Sequence, residues 1–171
     1  MPSETKKIII VEDEPAAADL FEEILRISQY QVIKIHSSIS ALSIIRAELP
    51  DAVLLDIMMP DISGLEVLRF MRREPDLQRI PVVIVSAKAL PSDIRIGMDA
   101  GATAYLTKPV ELDQLRETVK RVMRAADGAA ADVVGKYIGA AKCKMCHNKP
   151  AGGAQYDVWM KSAHANAFKT L

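Results

Sequence analysis

Short apolar runs and longer amphipathic stretches alternate along the first 126 residues. The runs are residues 8–11, 31–35, 52–55, 82–85 and 104–106, mostly aliphatic or β-branched. Three of them are nearly continuous in hydrophobicity, as strands buried on both faces are. Between them the apolar positions recur with helical spacing. In the first such stretch Ala17, Leu20, Phe21, Ile24 and Leu25 make one predicted face. Its start is marked by Asp13-Glu14-Pro15, with acids and a proline where a first turn tolerates them. In the last stretch Leu112, Leu115, Val119 and Val122 make a stripe. Lys120, Arg121 and Arg124 follow near its end, where cations suit the helix dipole.

Five strands alternating with five helices predict right-handed βαβ units and a doubly wound, five-stranded parallel sheet of flavodoxin-like α/β class. In that architecture the carboxyl ends of the first and third strands meet at a switch point. The pattern stops near Ala126. Asp127-Gly128-Ala129-Ala130-Ala131-Asp132 reads as a small-residue linker. The predicted organisation is a domain over 1–126, a linker over 127–136 and a small appendage over 137–171.

Half of the 171 residues are hydrophobic, enough for a sizeable core. The formal net charge is zero but unevenly spread. Residues 1–126 carry 16 Lys/Arg against 19 Asp/Glu, and residues 127–171 carry 6 against 3. Neutral balance argues against non-specific nucleic-acid binding, and no recognition helix-turn-helix or basic stripe follows Ala126. The polar start, 1–7, and the short first apolar run predict no secretory signal and no membrane span, hence a cytoplasmic location.

Acidic residues stand where the apolar runs end. Glu12-Asp13-Glu14 follow the first run, Asp56 ends the third, and Lys108 precedes Pro109 after the fifth. Carboxylates at strand ends supply the hard oxygen ligands that Mg2+ takes when it neutralises an incoming phosphate. Asp13 and Asp56 are the natural direct ligands, with Glu12 through water. Lys108 can pair with phosphoryl oxygens as a point charge. Ser86 offers a hydroxyl at the end of the fourth run. Glu14 is read as a helix-capping acid, and His36 as a surface residue without a role.

Residues 8–14 (Ile-Ile-Ile-Val-Glu-Asp-Glu) and 54–60 (Leu-Leu-Asp-Ile-Met-Met-Pro), together with Gly64-Leu65-Glu66-Val67-Leu68, Val85-Ser86-Ala87 and Tyr105-Leu106-Thr107-Lys108-Pro109, resemble the receiver domain of two-component response regulators. The resemblance covers nearly three quarters of the chain. It implies that a sensor histidine kinase phosphorylates Asp56. It implies Mg2+ held by Glu12, Asp13, Asp56 and the backbone carbonyl of Met58. Ser86 and Tyr105 would form a switch pair, Lys108 the counter-charge, and the Lys108–Pro109 peptide would be cis. Such a protein is a signalling switch and not a conventional enzyme. Output would pass by protein contact through the last helix–strand–helix face. A dimerising scaffold is a further reading of the same chain.

Both cysteines lie in Cys143-Lys144-Met145-Cys146-His147, the spacing of covalent haem c attachment. With Tyr137-Ile138-Gly139 before it and Trp159-Met160-Lys161-Ser162-Ala163-His164-Ala165 after it, the segment resembles one haem-binding piece of a multihaem c-type cytochrome. That resemblance implies Cys143 and Cys146 as thioether links, His147 as proximal ligand and His164 as a second axial ligand. Met145 and Met160 are the other candidates for the sixth position. Haem c is attached outside the cytoplasm, which opposes the predicted location. Zn2+ on the same Cys and His residues, a dithiol switch, or a segment that binds nothing are the alternatives. The competing function is a haem c electron-transfer or redox protein regulated by its receiver.

Overall fold

The computed structural model describes residues 5–135. Strands and helices alternate as β1 (Lys7–Val11), α1 (Pro15–Ile27), β2 (Gln31–Ile35), α2 (Ser38–Glu48), β3 (Ala52–Leu55), α3 (Gly64–Arg73), β4 (Val82–Ser86), α4 (Pro91–Asp99), β5 (Ala104–Thr107) and α5 (Leu112–Gly135). The strands form one parallel sheet in the order β2-β1-β3-β4-β5. One compact unit closes at Gly128.

Parallel strands need both faces covered, and the alternation of side chains divides the core accordingly. Ile8, Ile10, Leu54, Val83, Val85 and Leu106 pack with Phe21, Ile24 and Leu25 of α1 and with Leu115, Val119 and Val122 of α5. On the opposite face Ile9, Val11, Val53, Leu55 and Ile84 pack with Ile45 of α2 and Val67, Leu68 and Met71 of α3. Each fully buried aliphatic side chain contributes about 1.5–3 kcal/mol relative to exposure, so these layers hold the strand ends in place.

Three readings of the helices need correction. On α1 the buried residues are Ala18, Phe21, Ile24 and Leu25, while Leu20 is exposed and Ala17 half-buried. The helix turns Ala18, which is fully buried, toward the sheet, and Leu20 falls on the rim. On α5 Leu115, Val119 and Val122 are buried with Met123, but Leu112 at the helix start is exposed. The third concerns residues 127–132, predicted as linker: α5 continues through them to Gly135. Extending a nucleated helix adds one hydrogen bond per residue fixed. Alanine is the best helix former, which offsets the roughly 1 kcal/mol that Gly128 costs.

Candidate functional site

The register of the central strands assembles the acidic pocket. Val11 pairs with Leu55, so the next residues, Glu12 and Asp56, emerge side by side at the carboxyl edge. The ladder continues past both strands: Asp56 N–H donates to the Val11 carbonyl at 2.9 Å, and Glu12 N–H to the Ile35 carbonyl at 3.0 Å. At the other side Ser86 pairs with Thr107, and Lys108 N–H donates to the Ser86 carbonyl at 2.8 Å. The Lys108–Pro109 peptide is cis.

Carboxylate oxygens of Glu12, Asp13 and Asp56 lie within 4.8 Å of one another. Glu12 is 2% exposed and Asp56 5%, while Asp13 is half-buried. Lys108 Nζ reaches into this group, 2.8 Å from Glu12 Oε2 and 2.6 Å from Asp56 Oδ2. Asp56 Oδ1 accepts from the Met58 N–H at 2.7 Å. Burial pushes the Glu12 carboxyl above its ordinary pKa; Lys108 opposes that shift and Asp56 adds to it. For Lys108, burial works against the charged form, but hydrogen bonds to Asp56 and Glu12 outweigh it and hold the ammonium above its usual pKa.

One lysine does not neutralise three carboxylates. The remaining negative charge, the hard oxygen donors and the half-open position of Asp13 fit a small divalent cation such as Mg2+, which binds one or two carboxylates and keeps several waters.

The loop after Asp56 is tied from several directions. Ser63 Oγ donates to the Ile57 carbonyl and accepts from Leu65 N–H, capping α3. Buried Ser38 Oγ accepts from Ile62 N–H at 3.0 Å. Gly64 packs directly on the Asp56 backbone, since a Cβ there would lie 2.1 Å from the Asp56 carbonyl oxygen. The sequence reading missed Ser38 and Ser63. Ser63 before a helical stretch is a legible cap signal, whereas Ser38 carries none because its partner lies 24 residues away.

Ser86 is fully buried, and its Oγ accepts from Lys88 N–H at 3.2 Å. Tyr105 is half-buried, and its hydroxyl donates to the Lys88 carbonyl at 2.9 Å. Burial raises the phenol pKa. Glu14 occupies the N-cap position of α1 but makes no side-chain cap. Instead its N–H lies 3.4 Å from Glu12 Oε1, so the capping role predicted for its carboxylate is not made. His36 is exposed, as expected, and its Nδ1 lies 2.9 Å from the Glu12 carbonyl oxygen. Cys143, Cys146, His147 and His164 lie outside the described residues.

A five-stranded doubly wound sheet with an acidic pocket and a lysine at its carboxyl edge defines a receiver-type signalling domain. Residues 8–120 match the family model of the response regulator receiver domain, and the chain belongs to that family. It is 36% identical over 116 residues to the polar-differentiation response regulator DivK of Brucella ovis, covering 68% of this chain and 94% of that protein. A CheY-like response regulator receiver domain protein from Methanospirillum hungatei matches in structure at a TM-score of 0.69 and 28% identity, over 74% of this chain and 99% of that one. The receiver domain of a sensor histidine kinase from Pseudomonas aeruginosa, with a magnesium ion coordinated in its active-site cleft, matches at 0.65 and 28%, over 70% and 98%. Receiver domains are phospho-accepting signalling switches that bind Mg2+ at an acidic pocket and interact with histidine kinases and downstream partners. Among the described residues, no helix is long and apolar enough to cross a membrane.

Proposed function

We propose that Asp56 is the phosphoryl acceptor, charged by a sensor histidine kinase, in a pocket where Glu12, Asp13, Asp56 and the Met58 carbonyl hold Mg2+. The observation that carries this reading is Lys108 Nζ bridging Glu12 and Asp56 beside a third carboxylate. In the transfer, an Asp56 carboxylate oxygen forms a bond to phosphorus as the phosphorus–nitrogen bond of a phosphohistidine breaks. The imidazole takes up a proton and leaves neutral. Bound Mg2+ supplies positive charge to the phosphoryl oxygens. Met58 N–H and Lys108 orient the acceptor carboxylate, and Lys108 is placed to follow the charge onto the phosphoryl group.

Phosphorylation puts about −1.5 to −2 charges at this point. Ser86 lies at the end of the adjacent strand; its oxygen accepts from Lys88 N–H, and its hydroxyl proton is available to donate to a phosphoryl oxygen. Lys88 also accepts from Tyr105, so movement of residues 86–88 releases the phenol to turn inward. Leu90, Ile96, Met98 and Leu112 are exposed on the neighbouring elements, which supports output by protein contact there.

Incubation of the full chain with acetyl phosphate tests the acceptor. Labelling requires Mg2+ and is lost in Asp56→Asn; undiminished labelling of that variant, or transfer in excess chelator, contradicts the reading.

A second reading concerns the tail and rests on the Cys143-x-x-Cys146-His147 spacing with its flanking residues 137–139 and 159–165. It assigns a haem c to that segment. The intact mass of the chain from its native host decides it: an added haem supports the assignment, and an unmodified mass rejects it.

A further inference from the structure

We infer that His36 is a positioning residue of the acidic pocket: its imidazole holds the peptide joining Glu12 to Asp13 and so aims the Asp13 carboxylate at a divalent cation. This rests on the cation role proposed for the pocket.

The β1–β2 ladder ends at the pair Val11 and Ile35. Glu12 N–H still finds the Ile35 carbonyl, but the chain then leaves for α2, with Ser37 at its N-cap. Among the described residues, no backbone N–H donates to the Glu12 carbonyl. His36 Nδ1 takes that place at 2.9 Å. A carbonyl oxygen only accepts, so Nδ1 carries the proton. Both ends of the Glu12 backbone are thereby tied to the end of β2.

Asp13 depends on that tie more than its neighbours do. The Glu12 side chain is held by Lys108, and Asp56 is held by Lys108 and Met58 N–H. Among the described residues, the Asp13 carboxylate has no hydrogen bond or ion pair, so its direction follows from the backbone and the rotamer that the backbone allows. On one side of it stands the peptide pinned by His36. On the other, Glu14 is extended and Pro15 opens α1 with its fixed φ. Loss of the His36 hydrogen bond frees the Glu12–Asp13 peptide to rotate, and Asp13 swings with it. His36 itself is exposed, so replacing it opens no core.

The test titrates Mg2+ into the full-length chain by calorimetry, with urea unfolding in chelator as the control. His36→Ala and His36→Leu remove the donor, the second while keeping bulk. Both are expected to weaken Mg2+ binding about tenfold, the scale on which outer-shell partners act on metal ligands, with unfolding midpoints unchanged. His36→Asn, whose amide nitrogen can stand where Nδ1 stands, is expected to restore the affinity. Unsubstituted affinity in the Ala or Leu variant overturns the inference, as does an Asn variant as weak as Ala. Absence of Mg2+ binding by the unsubstituted chain overturns the cation role of the pocket, and this inference with it; binding that ignores His36 overturns this inference alone.

Discussion

Helices α3 and α4 flank the same sheet and are held to it in opposite ways. α3 buries Gly64, Val67, Leu68 and Met71, is capped by Ser63, and lies on the Asp56 backbone. Near its end Arg72 donates to the carbonyls of Gly101, Gln78 and Ile80, tying it to the loops beside β4 and β5. α4 buries Gly97 alone and leaves Ile96 and Met98 in solvent. Three buried apolar side chains anchor α3 by about 1.5–3 kcal/mol each; α4 has no such anchor. A segment with few buried apolar contacts opens at low free energy. The difference teaches a division of labour. The loop presenting the Asp56 carboxylate is fixed, while the helix packed against Tyr105 is cheap to displace. A local charge can then bias it without disturbing the core.

The two helix glycines offer the sharpest way to break that contrast. At Gly64 an added methyl would lie 2.1 Å from the Asp56 carbonyl oxygen and 2.9 Å from Ile57 Cα, atoms that cannot step aside alone. Gly64→Ala is expected to lower the unfolding free energy by about 3 kcal/mol, at the upper end of overpacking costs. It should also slow labelling by acetyl phosphate as the Asp56 peptide shifts. An unchanged urea midpoint and labelling rate would remove the claim that α3 is locked to Asp56.

At Gly97 the atoms nearest to the methyl would be side-chain ones, Ile84 Cδ1 at 2.8 Å and the Tyr105 ring at 2.9 Å. Alanine also gains about 1 kcal/mol of helix propensity over glycine. Gly97→Ala should therefore leave stability within about 1 kcal/mol while moving the Tyr105 ring, read from its aromatic NMR shifts. A loss as large as that of Gly64→Ala, or unmoved shifts, would dissolve the comparison.

The smallest effect is a pH slope. Burial raises the Glu12 pKa above its ordinary 4.5, so the folded chain holds this proton more tightly than the unfolded one. That contribution is full below 4.5 and is lost as pH rises through the folded value. Lys108 stays protonated across this window and adds no slope there. Without divalent cation, Glu12→Gln should show a flatter fall in stability from pH 4.5 to 7 in urea titrations. A variant with the slope unchanged would mean that Glu12 is not the group responsible.

Much of the fold was legible because parallel strands buried on both faces leave continuous apolar runs, as 52–55 and 82–85 do. Glu12, Asp56 and Lys108 were legible as candidates because charge at the end of such a run has no packing purpose. The structure adds their convergence. What escaped depends on partners distant in sequence. His36 shows its link to Glu12 only when β1 and β2 lie side by side. Ser38 acts on a loop reached through β3. Leu20 fits the apolar period yet lies on the rim, since packing against the sheet decides which residues of a wide stripe go inside. Residues 127–132 look like a linker by composition, but small residues also suit a helix already begun.

The most direct test of the central claim is to locate the phosphoryl group. The full chain would be treated with acetyl phosphate and Mg2+, trapped by borohydride reduction of the acyl phosphate, and mapped by peptide mass spectrometry. The expected result is a reduced side chain at Asp56, absent when Mg2+ is chelated. Modification at Glu12 or Asp13 with Asp56 untouched, or none at any carboxylate, would contradict it.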